Sequence, residues 1–383
     1  MSLRVVQIIS DLGLGGAEKL LVTTAEQAKA YSLDLTIISL GASNDQIILD
    51  ELNKNGATVH FFPANHLLDL RRIFHLTHFL RIGDFDLVQC HLEHANIIGA
   101  LCGRLSGLPV VATMHSTRRG SWRFSSAMEF LEIWCMRLFA KRIMAVAYRI
   151  ADNYQVRLRG KPIDVIPNAV SVPEEISKDE RTRLRQEIAG DASRPIVISV
   201  GRLSPPKGYE DLVTAFSFLT STYPKVLLII VGEGPLFEKI RAQIKELDLE
   251  KNIVLLGIRQ DVPRLLASSD IYVSSSHWEG LPLTILEAMM TALPIVATSV
   301  GDVPRLVTPE VGFLLHPHQP QLLAESIEKL LDDPKMRKQM GATARAQVMQ
   351  NYSPQVRMER ILSLYQKVLP RKAAEIELLK RSS

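Results

Sequence analysis

The chain of 383 residues is poor in cysteine, carries almost no net charge and has no long apolar run. Each shortage removes a class of protein. The three cysteines, Cys90, Cys102 and Cys135, have no C-x-x-C spacing, so neither a disulfide framework nor a zinc site is expected, and a reducing cytosol fits. A formal charge of +4, from 45 basic and 41 acidic residues, is too small over this length to make nucleic acid the main ligand. No uncharged apolar run reaches the roughly 18 residues a membrane span needs. Met1–Ser10 has only Arg4 as a charge and runs into a strand-like segment, without the features of a signal peptide, so a cytoplasmic protein is expected.

What is present is a globular composition, 46% apolar and 22% charged, of a length that predicts two domains. Short β-branched runs alternate with helical patterns: Val5–Ser10, Leu35–Leu40, Thr58–Phe62, Leu87–Cys90, Val110–His115 and Ile143–Ala147, then Ile196–Val200, Val226–Val231, Ile253–Leu256, Ile271–Val273, Pro294–Ala297 and Gly312–Leu315. Continuous apolar strands between helices imply parallel sheets covered on both faces. The expected fold is α/β, two doubly wound parallel-sheet domains in tandem, spanning 1–170 and 171–354. Between them Pro167, Pro173 and Pro195 bracket a charged stretch, Glu174–Arg185, that reads as a linker followed by a solvated helix. After the break at Tyr352-Ser353-Pro354, a C-terminal helix within 355–383 is expected to return onto the first domain. Two such domains face a central cleft, and ligands in these folds bind at the carboxyl ends of the strands.

Three strand-to-helix loops carry chemistry. Gly13-Leu14-Gly15-Gly16-Ala17-Glu18 fails as a dinucleotide fingerprint because Glu18 stands at the third glycine position. A glycine turn opening a helix still presents N–H groups to an anion, and a plain tight turn is the equal alternative. In Gly201-Arg202-Leu203-Ser204-Pro205-Pro206-Lys207-Gly208, a guanidinium and an ammonium sit five residues apart on a proline-stiffened loop, a pair that suits a diphosphate. The most specific is Ser276-His277-Trp278-Glu279-Gly280-Leu281-Pro282-Leu283-Thr284-Ile285-Leu286-Glu287. There Glu287 lies on an apolar helix and requires a hydrogen-bond donor, such as a ribose diol or a neighbouring base.

Taken together, these residues resemble the retaining GT-B glycosyltransferases of glycosyltransferase family 4. The resemblance rests on Glu279-x7-Glu287, Gly201-Arg202…Lys207-Gly208, Val231-Gly232-Glu233-Gly234-Pro235, Ile166-Pro167-Asn168-Ala169-Val170 and Gly15-Gly16-Ala17-Glu18, in that family's order and over nearly the whole chain. It implies a sugar transfer from a nucleotide-diphosphate sugar to a glycan, lipid-linked or small-molecule acceptor with the anomeric configuration kept. A role in bacterial cell-surface polysaccharide or glycolipid assembly is the family-level expectation.

The same resemblance implies roles for residues. Arg202 and Lys207 would hold the donor diphosphate, Glu287 the ribose, and Glu279 the donor sugar. Gly280, Leu281, Pro282 and Leu283 would line the sugar and phosphate pocket, Gly15 and Gly16 would close over the phosphates, and Gly257, Ile258 and Arg259 would lie beside the base. His115 would face the anomeric centre, with His91 and Arg118 on the acceptor side. The chain departs from the family at Arg305 and Tyr148. No metal or other cofactor is expected, because fixed cations at the leaving diphosphate suffice and no Asp-x-Asp occupies a suitable loop. His91-Leu92-Glu93-His94 invites a metal reading but lacks the H-E-x-x-H spacing.

Arg118 to Lys161 holds ten basic and three acidic residues, a local +7 with Trp122, Phe130 and Trp134 interleaved. This stretch could rest on an anionic membrane surface, at the cytoplasmic face, or be a core helix with solvated arginines. Two alternatives to the transferase stand beside it: a nucleotide-sugar epimerase of the same architecture, and a non-catalytic nucleotide-sugar-binding subunit of a partner enzyme.

Overall fold

The computed structural model describes residues 2–13, 15–42, 44–115, 123–372, 374, 376 and 377. The chain divides into two compact units, one of Met1–Ala169 with Pro354–Ser383 and the other of Val170–Ser353.

In the first unit seven strands, β1 (Leu3–Ile9), β2 (Leu33–Ser39), β3 (Thr58–Phe61), β4 (Leu87–His91), β5 (Val110–Met114), β6 (Arg142–Ala145) and β7 (Ile163–Val165), form one parallel sheet in the order β3-β2-β1-β4-β5-β6-β7. The order reverses between β1 and β4, so the loops that follow these two strands diverge and open a crevice at their carboxyl ends. β7 is the strand that apolar runs do not predict. It has three residues with Asp164 at its centre, and that carboxylate is held by Arg142 on β6 (2.6 Å) and by Lys367 (2.6 Å). Tertiary ion pairing, not hydrophobic pattern, sets this edge.

The Pro354–Val368 helix packs within this same unit, as its buried face of Met358, Ile361, Leu362 and Tyr365 requires. It delivers Arg357 to Thr24 Oγ1 (2.9 Å) and Tyr365 to Gln89, and Lys141 Nζ donates to its last carbonyl, Val368 O (2.6 Å).

The second unit has six strands, β8 (Ile196–Val200), β9 (Leu227–Val231), β10 (Ile253–Leu255), β11 (Ile271–Ser274), β12 (Ile295–Thr298) and β13 (Gly312–Leu315), all parallel in the order β10-β9-β8-β11-β12-β13. Alternate residues feed two apolar clusters, one on each face: Ile196, Ile198, Leu227, Ile229 and Tyr272 in one, Val197, Leu228, Ile230, Ile271 and Val273 in the other. Because both faces are dry, the strands read as unbroken apolar runs.

The Lys178–Ala189 helix, expected to be solvated, is largely exposed but buries Leu184, Arg185 and Ala189. Arg185 is buried and donates to the carbonyls of Ala192 (2.6 Å), Ser268 (2.7 Å) and Arg194 (2.7 Å), and to Asp270 (3.0 Å). A guanidinium satisfied by three carbonyls and a carboxylate can be buried where a lone charge could not. Among the described residues no helix is long and apolar enough to cross a membrane.

Candidate functional site

In the second unit the strand order reverses between β8 and β11, and their following loops are stapled together. Pro206 O accepts from the backbone N–H of His277 (2.8 Å) and Trp278 (3.2 Å), while Ser275 Oγ donates to Lys207 O (3.1 Å). Gly208 makes this approach feasible. It is left-handed (φ +62°), and a Cβ there would lie 2.1 Å from Ser275 O.

The staple brings Lys207 to Glu279. Lys207 Nζ donates to Glu279 Oε1 at 2.6 Å, and Ser276 Oγ donates to the same oxygen at 2.7 Å. Glu279 is 8% exposed, so its carboxylate is stable there only because both donors meet it. Both bonds fall on Oε1, which leaves Oε2 for a ligand hydroxyl. Behind it Gly301, also left-handed (φ +59°), passes so close that a Cβ would lie 2.3 Å from Glu279 O, and Asp302 N donates to Gly280 O (2.9 Å). Arg305, one of the two departures from the family, is exposed and 3.9 Å from Asp302.

The structure does not bring Arg202 onto this pair. Its side chain is exposed, and among the described residues its guanidinium has no polar partner. The Leu283–Met290 helix starts after Pro282 with no side-chain cap, so the N–H groups of its first turn face the end of the Gly280–Leu283 segment. Glu287 is half-buried on the second turn of that helix. Gly257, left-handed (φ +65°), accepts from Gly232 N through its carbonyl (2.8 Å), Ile258 is exposed, and Arg259 forks onto Asp261 (2.8 and 2.7 Å).

Two tyrosines that sequence reasoning passed over underlie the site. Tyr209 Oη donates to Gly201 O (3.2 Å), and Tyr272 Oη donates to Thr284 Oγ1 (2.9 Å). Burial raises both phenols, and the Glu279 charge raises both further, with Glu287 adding to the effect on Tyr272. The two carboxylates of the Glu279-x7-Glu287 pattern thus act on one buried ring. The signal that could have found Tyr272 is its place on β11, five residues before the loop carboxylate's segment begins to turn at His277.

The first unit has its own site at the corresponding sheet edge. His91 ends β4, and His115 follows β5 directly. Their rings meet with His91 Nδ1 3.1 Å from His115 Nε2. The chain leaves His91 through Leu92 in the left-handed region (φ +70°). Burial pushes His91 well below its ordinary range, and His115 and Arg357 add to this. His115 is pushed down to about 3 by burial and then by Arg357. Both imidazoles are therefore neutral at pH 7, with one N–H between them at their contact.

Arg357, on the C-terminal helix, carries no sequence signal that singles it out. It is buried, and burial lowers its guanidinium to about 10. Beside the histidines is a cavity of about 300 Å³ lined by Ser10, Asp11, Glu93, His94, His115 and Glu132, with Tyr154. The Gly15 turn opens the Gly16–Ala28 helix, and a Cβ on Gly15 would lie 2.3 Å from the Glu18 carboxylate, while Gly16 faces open space. Arg118 and Trp122 lie outside the described residues.

The Arg123–Phe139 helix shows both sides of the sequence reading. Ile133 and Met136 are buried, whereas Phe130, Trp134 and Leu138, four residues apart, form an exposed apolar stripe.

Comparison with known proteins places this geometry. Residues 14–173 match the family model described as Glycosyltransferase Family 4, and residues 180–347 match the one described as Glycosyl transferases group 1. The chain is 29% identical over 310 residues to the UDP-Gal:alpha-D-GlcNAc-diphosphoundecaprenol alpha-1,3-galactosyltransferase of Escherichia coli, covering 78% of this chain and 79% of that one. It is 27% identical over 282 residues to the alpha-D-kanosaminyltransferase of Streptomyces kanamyceticus, covering 70% and 73%. Among solved structures, the Anabaena protein HepE in complex with UDP superposes with a TM-score of 0.82 at 23% identity, over 95% of this chain and 100% of that one. The two doubly wound units are thus the GT-B fold, and the chain belongs to glycosyltransferase family 4 and is a glycosyltransferase.

Proposed function

We propose that the protein transfers a sugar from a nucleotide-diphosphate sugar to a lipid-linked or glycan acceptor with the anomeric configuration kept, in cell-surface polysaccharide or glycolipid assembly. The observation that carries the donor half is the Lys207–Glu279–Ser276 cluster at the carboxyl ends of β8 and β11, followed by an uncapped helix start. As the bond between the anomeric carbon and the diphosphate oxygen breaks, negative charge collects on the phosphates. Lys207, held on Glu279, is a fixed cation that favours that state over the ground state, and the exposed Arg202 guanidinium joins it when the diphosphate binds. They take the role for which other transferases use a divalent ion. Glu279 holds the ammonium in place and offers Oε2 to a donor-sugar hydroxyl, and Glu287 takes the ribose. In the first unit, the neutral His91–His115 pair is assigned to hydrogen bonding on the acceptor side of the transfer.

The acceptor half is supported by the Escherichia coli relative, whose name specifies a diphosphoundecaprenol-linked acceptor, and by the exposed Phe130–Trp134–Leu138 stripe with Arg137 and Lys141 near it. An apolar stripe flanked by cations suits the anionic cytoplasmic face of a membrane.

A thermal-shift panel of UDP, GDP, ADP and CDP tests the donor site. A nucleotide at about 100 times its Kd adds roughly 2.7 kcal/mol to folding. One nucleotide raising the melt, and not doing so in a Lys207→Met variant, is the expected result; no response to any of the four refutes the donor site. Retention is tested by the anomeric configuration of the product by NMR. Flotation with acidic liposomes tests the surface, and absence of co-flotation at low salt refutes it.

A further inference from the structure

Three side chains from separate segments of the second unit converge outside the Lys207–Glu279 cluster. Asp211 is on the first turn of the Tyr209–Thr222 helix, His277 follows β11, and His318 lies beyond β13 in a left-handed backbone conformation (φ +62°). Asp211 Oδ2 is 2.7 Å from His277 Nε2 and 3.3 Å from His318 Nδ1. One ligand atom from each residue lies within 4.8 Å of the other two, and the imidazole centroids are 3.9 Å apart.

We propose that Asp211, His277 and His318 form a binding site for a divalent transition-metal ion, with zinc as the fitting probe. Two imidazole nitrogens and a carboxylate oxygen are a donor set that zinc accepts, with a fourth position left to water. Ligand atoms at about 2.0–2.1 Å from a tetrahedral ion lie about 3.4 Å from one another. The His318–Asp211 separation already has that value. The His277–Asp211 contact, now a hydrogen bond, opens by about 0.7 Å when His277 carries its proton on Nδ1 and turns its Nε2 lone pair to the metal.

The backbone keeps this place clear, because a Cβ on Gly208 would stand 2.8 Å from His277 Nε2. The open coordination position follows from exposure: the His318 side chain is 67% exposed, and those of His277 and Asp211 are about a quarter exposed. A bound ion would join a helix start and two loops at one sheet edge, and would fix His277 two residues before Glu279. The site shares no ligand with the donor cluster, so it stands or falls independently of the proposed transfer.

The test uses the full-length, tag-free protein after chelator dialysis. Zinc is titrated by competition with a chromophoric chelator, and cobalt(II) is added separately for its visible absorption. The expected result is one equivalent of zinc, with His318→Ala and His277→Gln each weakening it at least about tenfold. The cobalt band and a zinc-induced rise in Tm are expected in the wild type and lost in both variants. Failure of the wild type to bind zinc, or equal affinity in the wild type and both variants, overturns the proposal. His318 is exposed enough that its replacement leaves the fold in place, which a circular dichroism melt verifies.

Discussion

Replacing Lys207 with methionine keeps the aliphatic stem and removes only the ammonium. In the native protein that ammonium is one of two donors to a carboxylate that is 8% exposed, at 2.6 Å from Oε1. A hydrogen bond to a charged group contributes about 1.5–3 kcal/mol, and with the Lys207 side chain 25% exposed the lower part of that range applies, about 1.5–2 kcal/mol. In a unit of this size that lowers Tm by about 2–4 °C per kcal/mol. On the proposed function the transfer reaction loses more, because a cation held at the leaving diphosphate would act on charge that develops only in the transition state. Removal of one such group costs about 2.7–4 kcal/mol, or about 10²–10³ in kcat. The assay is the initial rate of sugar transfer at saturating donor, alongside a thermal melt of each protein. A folded Lys207→Met protein with undiminished kcat refutes the assignment of Lys207, whatever its Tm.

Acid should destabilise the first unit through its histidine pair. His91 and His115 titrate below their ordinary 6.5 in the folded state, so below that pH the unfolded chain binds more protons. Stability is therefore complete above about pH 6.5 and falls as the pH drops toward about 3, a slope that urea titrations between pH 7 and pH 4 measure and that His115→Gln makes shallower. Arg357→Met removes one cause of the depression and should flatten the same slope; an unchanged slope would show that burial alone sets it. Gly208→Ala forces a side chain onto a left-handed residue and against Ser275 O, so it should cost at least about 2 kcal/mol in urea unfolding, with loss of transfer as the stapled loops separate. Wild-type stability in that variant would show that the loops are held otherwise.

The two parallel sheets were legible because their central strands are buried on both faces, and a dry strand must be apolar throughout. β8 and β13 match their sequence runs residue for residue. Glu279 and Lys207 stood out in the sequence as charged groups at strand ends in glycine- and proline-rich loops, and the structure brings the two together. The expectations were incomplete where polar contacts add to the apolar pattern. β7 exists because Asp164 meets Arg142 and Lys367, and the Lys178–Ala189 helix is fastened by the burial of Arg185 among carbonyls.

The sequence by itself determined the alternation of strand and helix, the family and the loops that carry charge, since all of these follow from local pattern. Which groups meet was decided by the tertiary structure. Lys207 lies 72 residues from Glu279, Asp211 lies 66 from His277, and Arg357 lies 333 from Thr24. Burial then set the protonation of His91 and His115 and the direction of the phenols of Tyr209 and Tyr272. Desolvation depends on everything packed around a group, and no local stretch of sequence contains that information.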